Sequence, residues 1–228
     1  MRKKLVILGN SGAARECYWL ALDCIAAGMH AEVRGFLSFE GHGGDLRDLA
    51  HMALGLDDAY RPEPGDSFVI GIGDPALRQR AFCKWKNRGA AFVNLIHPQA
   101  RLVGNPTLGE GNILACNSYV SCDSTLGDAN YLNGSVVIGH DVRMGSFNFW
   151  GPFSMALGGA RIGSRNTFGV FSVALAHAKV GDGNTIAPGA CLYKGCGNGT
   201  VMGGNPAFCM GNVTGMENVC KDKPVCEE

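Results

Sequence analysis

The neighbouring residues His140 and Asp141 are the pair in this sequence whose types best suit proton transfer. An imidazole gains and loses a proton near neutral pH, and an adjacent carboxylate can hold the ring in one tautomer and stabilise its protonated form. Such pairs also occur on ordinary protein surfaces. The chemistry of this pair therefore depends on what surrounds it.

A second candidate, for binding an anion, is the turn Gly9-Asn10-Ser11-Gly12. It follows a short apolar run at 5–8 and precedes a helical pattern of apolar residues, which predicts strand, tight turn and helix. Backbone amides at the start of a helix bind phosphate or pyrophosphate well. The turn lacks one glycine of the dinucleotide-binding fingerprint, so a plain tight connection is the alternative.

More strands and a second helix are predicted around this turn. Apolar runs at 31–36, 68–72 and 92–95 are typical of strands, and Asp74 is a suitable N-cap for a helix through residue 87. Alternating strands and helices predict a small parallel α/β sheet of Rossmann-like type, with ligand at the carboxyl ends of its strands. Gly73 and Asp74 are therefore further candidate substrate contacts.

The second half of the chain has an apolar residue at every sixth position. Neither a helix nor a flat strand repeats at six, but three short faces joined at corners make a parallel coil of eighteen residues per turn. Each face points one apolar residue inward, and we expect glycine to relieve the backbone at the corners. The series is Ile96, Leu102, Leu108, Leu114, Val120, Leu126, Leu132, Ile138, Met144, Trp150, Ala156, Ile162, Phe168, Ala174, Val180, Ile186 and Leu192.

These patterns divide the chain into an α/β domain at 1–95, a coil at 96–207 and a tail at 208–228. Lys plus Arg and Asp plus Glu each number 20, so no overall charge favours nucleic acid or an anionic membrane. No apolar stretch is long enough for a signal-peptide core or a membrane span. Ten scattered cysteines are typical of reduced thiols in a cytoplasmic protein, and Cys220 and Cys226 lack the second pair that zinc needs.

The order of these pieces resembles one bacterial family, the sialic acid O-acetyltransferases and nucleotide-linked amino-sugar N-acetyltransferases. The likeness covers residues 3 to about 207 and implies a left-handed β-helix. It also implies that the first domain binds a nucleotide-linked amino sugar, that the coil binds acetyl-CoA, that no metal is used, and that three chains form a homotrimer with active sites between neighbours. It is carried by the Gly-x-x-Gly turn, the run 71–74 with Arg78, His97-Pro98, the hexads, Asn133, His140-Asp141 and the run 204–207.

The resemblance assigns roles to three residues. His140 matches the catalytic base, Asp141 the acidic residue that orients it, and Asn133 a further position of the site. Because Asn133 lies about one face before His140, we expect it at a different corner, near the His140 of a neighbouring chain.

Stacking by eighteen residues adds the acyl-donor contacts. Gly158 and Gly159 lie one coil above His140, where an open backbone amide could reach a thioester oxygen. Lys194 lies three coils above, where it could meet a phosphate of CoA or remain an ordinary solvated lysine. His177 is expected to line the groove. A zinc site formed by His140 and His177 across neighbouring chains is the alternative, but no third histidine lies nearby and His97 is on another stretch.

Three departures from the family pattern affect substrate choice. Ala13 and the run 38–40 replace residues typical of the nucleotide-sugar site, and Phe149 occupies a position that is often histidine. Since an apolar ring beside the acyl group would favour extra methylenes, we expect propionyl- and butyryl-CoA to be accepted about as well as acetyl-CoA.

The favoured function is an acyl-CoA-dependent N-acyltransferase acting on a nucleotide-linked amino sugar in surface-glycan synthesis. O-acylation of sialic acid or another sugar is the alternative within the same class. A non-catalytic nucleotide-binding trimeric scaffold is the alternative from a different class, because histidines of the family pattern are missing.

Overall fold

The computed structural model describes residues 3–40 and 44–213. The chain begins with a four-stranded parallel sheet in the order β3-β2-β1-β4. Leu5 and Ile7 pack against α1, and Val6 and Leu8 against α2, so the two helices cover opposite sides of the sheet. The elements are β1 (Lys3–Leu8), α1 (Gly12–Ala26), β2 (Ala31–Ser38), a 3₁₀ helix (Arg47–Met52), β3 (Ala53–Leu56), β4 (Asp66–Ile70) and α2 (Pro75–Asn87).

The predicted elements are found with shifted ends. Asp74 caps α2, as predicted, by accepting a hydrogen bond from Leu77 N at 2.8 Å. The strand predicted at 92–95 is reduced to a single bridge between Phe68 and Phe92. The sequence analysis missed β3, because this short and largely exposed edge strand shows no alternation of apolar and polar residues.

From Leu95 onwards the chain winds as a triangular coil, as predicted from the hexads. As far as residue 192, each strand pairs in parallel with strands eighteen residues away, as Tyr131 does with Phe149. The strands are β5 (Leu95–Ile96), β6 (Arg101–Leu102), β7 (Thr107–Leu108), β8 (Ile113–Leu114), β9 (Tyr119–Val120), β10 (Thr125–Leu126), β11 (Tyr131–Leu132), β12 (Val137–Ile138), β13 (Arg143–Met144), β14 (Phe149–Trp150), β15 (Met155–Ala156), β16 (Arg161–Ile162), β17 (Thr167–Phe168), β18 (Val173–Ala174), β19 (Lys179–Val180), β20 (Thr185–Ile186), β21 (Cys191–Leu192), β22 (Gly195–Cys196), β23 (Thr200–Gly203) and β24 (Phe208–Asn212).

The strands form three flat faces. Face one contains β5, β8, β11, β14, β17, β20, β23 and β24; face two contains β6, β9, β12, β15, β18 and β21; face three contains β7, β10, β13, β16, β19 and β22. The strand β24 pairs antiparallel with β23 and occupies part of the segment predicted as a tail. Among the described residues, no helix has the length and apolar character needed to cross a bilayer.

The in-phase apolar residues fill the interior of the coil. Trp150 and Phe168 are fully buried and stack with ring centroids 3.7 Å apart, so both point inward, as predicted. A ladder of buried asparagines runs beside this apolar core at spacings of eighteen. Each Oδ1 accepts hydrogen bonds from the backbone N–H and the side-chain amide of the next asparagine above. The ladder comprises Asn112, Asn130, Asn148, Asn166 and Asn184.

The prediction that glycine occupies the corners of the coil is wrong for most corners. Most left-handed corner positions carry other residues, including Asp141 with φ 57° and His177 with φ 62°. Glycine is needed instead just after a strand, where successive coils come very close. A methyl group on Gly139 would lie 2.8 Å from Gly158 N. Close approach of backbones, and not backbone conformation, therefore explains this glycine.

We predict that Asn148→Ala destabilises the fold by about 3 kcal/mol. The substitution leaves the buried Asn166 amides without their shared acceptor at 2.9 and 3.0 Å, and each unsatisfied buried group costs about 1–3 kcal/mol. Chemical unfolding at fixed protein concentration measures the change. The exposed Asn105→Ala is the matched control and should change stability by no more than about 0.5 kcal/mol. Equal stability of the two variants would contradict a structural role for the ladder.

Candidate active site

His140 and Asp141 lie together at the corner between faces two and three. His140 Nδ1 and Asp141 Oδ2 are 2.7 Å apart, and the two side chains are 64% and 61% exposed. The left-handed conformation of Asp141 turns its carboxylate back toward the preceding ring. With the carboxylate accepting from Nδ1–H, Nε2 is left as the proton acceptor of the imidazole.

Two histidine rings lie over the glycine pair 158–159. A methyl group on Gly158 would lie 2.5 Å from His140 Nε2, and one on Gly159 would lie 2.4 Å from His177 Nδ1. Gly158 is therefore next to the proton-accepting atom, as the eighteen-residue stacking predicted. Gly159 N donates to His140 O at 2.8 Å, which holds the two coils in register at this point.

A groove of about 380 Å³ opens at this corner. The sequence analysis did not identify three of its cationic residues, Arg143, Arg161 and Lys179. They are eighteen residues apart, and each comes one residue before an in-phase apolar residue. This spacing would have placed them on one face. The lining residues are His140, Asp141, Arg143, Gly159, Arg161, His177 and Lys179.

Four predicted contacts do not line this groove, and one of them is Gly158, which lies beside the His140 ring. Lys194 is exposed at the same corner but does not border the groove. Asn133 lies at the corner between faces one and two, where its Oδ1 accepts from Gly134 N. Phe149 lies on face one, with its ring 5.4 Å from that of Tyr131 and close to Gly73. Within one chain, Phe149 thus belongs to the α/β side of the molecule, and its contact with an acyl group stays a prediction.

The predicted anion turn forms a separate pocket. Its volume is about 200 Å³, and its lining is Gly9, Asn10, Ser11, Phe39, Ile72, Gly73, Asp74 and Leu77. Gly9 has φ 122°, and a methyl group there would lie 2.5 Å from Gly71 O, so the turn requires glycine. Gly12, the fourth residue of the predicted turn, is the first residue of α1 and does not line the pocket. The N-terminal ends of α1 and α2 both border the pocket.

A buried polar cluster joins the α/β domain to the coil. Burial lowers the pKa of Arg78 to about 10 and raises that of the Cys17 thiol to about 12. The Arg78 guanidinium lies 5.1 Å from the centre of the Tyr131 ring and donates to Ile72 O and to Ala129 O. Ile72 lines the 200 Å³ pocket, and Ala129 and Tyr131 belong to the coil. Arg78 therefore links the wall of the pocket to the coil by direct contacts.

The described residues contain no group of three or more metal-ligating side chains. His97 Nε2 lies 3.2 Å from Asp23 Oδ2, away from the groove with His140 and His177. Cys220 and Cys226, considered as zinc ligands, lie outside the described residues.

Solved structures resemble the chain over nearly its whole length. PerB from Caulobacter crescentus, in complex with CoA and GDP-perosamine, aligns with a TM-score of 0.80 at 27% identity, covering 91% of this chain and 97% of that one. The acetyltransferase domain of PglB from Neisseria gonorrhoeae aligns with a TM-score of 0.80 at 22% identity, covering 92% and 100%. WeeI from Acinetobacter baumannii aligns with a TM-score of 0.79 at 18% identity, covering 91% and 100%.

The chain has the fold of the hexapeptide-repeat sugar N-acetyltransferases. The predicted left-handed β-helix, the resemblance stated from the motifs and the acyltransferase class are thereby confirmed. No protein-family profile matches the sequence, and no curated protein sequence matches it as a relative.

We predict that Gly158→Ala displaces the His140 ring while leaving the fold intact. The new methyl group would clash with the imidazole, and Gly158 has an ordinary backbone conformation that alanine can adopt. Nuclear magnetic resonance of the histidine ring signals, combined with thermal unfolding, measures both effects. Gly134→Ala is the control, because a methyl group there has 3.7 Å of clearance. Unchanged His140 signals in Gly158→Ala would contradict the described packing.

Proposed function

We propose that this protein is an acyl-CoA-dependent N-acyltransferase that acetylates a nucleotide-linked amino sugar in the cytoplasm, for surface-glycan synthesis. The observation that carries the proposal is the arrangement of His140, Asp141 and Gly158 at the edge of an open groove. It is supported by the 27% identical PerB structure, which contains CoA and GDP-perosamine.

In this mechanism His140 Nε2 removes a proton from the amine as the amine nitrogen attacks the thioester carbon. The C–N bond forms, the C–S bond breaks, and the proton passes to the departing thiolate. Asp141 orients the ring and stabilises its charged form. We assign the Gly158 amide as the donor to the developing oxyanion; its N–H makes no backbone hydrogen bond within the described residues, and the residue lies next to the His140 ring.

The 200 Å³ pocket is assigned to the nucleotide sugar. Two helix N-termini supply partial positive charge for a pyrophosphate, and Phe39 supplies an apolar wall. Phe149 lies near Gly73, a residue that lines this pocket, which supports a contact with the nucleotide sugar within one chain.

A homotrimer brings the two sites together. The pocket and the groove share no lining residue, because the groove lies between faces two and three and the pocket beside face one. Face two has an apolar outer surface in register, formed by Tyr119, Val137, Met155, Val173 and Cys191. Burying this surface against a neighbour would place the corner of Asn133 from one chain toward the His140 corner of another.

Two alternatives remain testable. O-acylation of sialic acid or another sugar would use the same base on a hydroxyl group, and a panel of amino and hydroxy sugars separates the two reactions. A non-catalytic nucleotide-binding scaffold would bind nucleotide sugar without releasing CoA.

We predict that His140→Ala lowers kcat about a hundredfold or more, the usual scale for losing a general base, and that Asp141→Asn lowers it less. Release of CoA from acetyl-CoA with UDP-, GDP- and dTDP-linked amino sugars is the assay. His51→Ala, which alters an exposed histidine in the α/β domain, should retain full activity. Near-normal turnover by His140→Ala would rule out this mechanism.

We predict that Val173→Glu dissociates the trimer and abolishes turnover without unfolding the chain. The substitution places a charge within the apolar surface of face two, between Met155 and Cys191, where desolvation would oppose association. Analytical ultracentrifugation measures the state of assembly. Thr185→Glu on the outer surface of face one is the control and should remain trimeric. An active monomer of the unmodified protein would contradict the shared site.

A further inference from the structure

Three cations are stacked on the outer surface of face three. Arg143 pairs in register with Arg161, and Arg161 with Lys179, on the adjacent strands β13, β16 and β19. All three residues are exposed. Neighbouring strands are about 4.8 Å apart, so the row spans roughly 10 Å. We call these residues the cation row.

The cation row costs stability and is not neutralised within the chain. Like charges directly opposite each other on neighbouring strands destabilise a sheet. Among the described residues, no carboxylate lies within ion-pairing distance of the row; Arg143 donates to Thr125 Oγ1 at 2.5 Å. Arg165, four residues after Arg161, differs in pairing with Asp182 at 3.8 Å.

The row stands between two hollows. One is the 380 Å³ groove that contains His140 and His177, and the other, of about 580 Å³, lies over the remaining part of face three. Asp141 is the carboxylate that lines the groove, and it is already bound to His140. An anion that enters the groove therefore meets three cations close to the base.

We propose that the cation row is a phosphate-binding site that positions one substrate against His140. Guanidinium and ammonium groups in a row suit a pyrophosphate, whose oxygens can accept hydrogen bonds from two or three side chains at once. The identity of the phosphate carrier rests on the proposed function. Since the 200 Å³ pocket is assigned there to the pyrophosphate of the nucleotide sugar, acyl-CoA is the expected carrier. The site replaces Lys194, which does not border the groove, as the principal phosphate contact.

Binding of inorganic pyrophosphate tests the site without requiring turnover. Calorimetry should give an affinity at least tenfold weaker for Arg161→Gln than for the unmodified protein, equivalent to about 1.4 kcal/mol. Arg165→Gln removes the same charge nearby and should bind pyrophosphate normally. Because the substitution relieves repulsion, Arg161→Gln without ligand should unfold at the same temperature as the unmodified protein or higher. Equal pyrophosphate affinity in both variants would overturn the site.

Steady-state kinetics identifies the carrier. If the row binds the acyl donor, Arg161→Gln raises the KM for acetyl-CoA about tenfold with little change in kcat, and leaves the KM for the nucleotide sugar unchanged. Dephospho-CoA then shows whether the 3′-phosphate or the pyrophosphate is held. If the row binds the acceptor, the KM for the nucleotide sugar rises instead. Unchanged KM values for both substrates would overturn the proposal, whereas an unmodified protein that binds pyrophosphate but turns over no substrate would overturn only the proposed function.

Discussion

The register of eighteen residues per coil is the constraint on which the rest of the structure depends. The buried asparagine ladder sets this register, because each Oδ1 has its donors one coil above. A shift by one residue would separate each asparagine from the asparagine above it and leave several buried polar groups without their partners, each at a cost of about 1–3 kcal/mol. The apolar residues alone specify only a period of six, so hydrophobic burial cannot distinguish one face from another.

The same register builds the site. His140 reaches Gly158 because the two residues are eighteen apart, and Gly159 and His177 are related in the same way. Both glycines leave room for an imidazole from the coil below or above. Main-chain hydrogen bonds such as that from Gly159 N to His140 O fix the distance between coils. Side chains at this corner are therefore held in better defined positions than they would be on a surface loop.

Sequence reasoning predicts best what depends on short repeats and local chemistry. The hexads, the strand-turn-helix at residues 5–26 and the Asp74 cap all follow from spacing within one element. The placement of Phe149 depends on how the α1 side of the first domain and the turn at Gly73 pack on face one, and no local pattern encodes that packing. The sequence predicts that glycines relieve the backbone at corners, whereas Gly139 is required by close contact between coils. That contact is a tertiary effect, which a local pattern does not show.

The three faces of the coil also differ in their outer surfaces, although their interiors follow one rule. Face one is covered in part by the α/β domain through Tyr131 and Phe149, face two is apolar, and face three carries the cation row. The residue before each in-phase position points outward, so these residues contribute directly to what each face contacts. Substitutions at these positions can therefore change the outer surface of a face without altering the core of the coil.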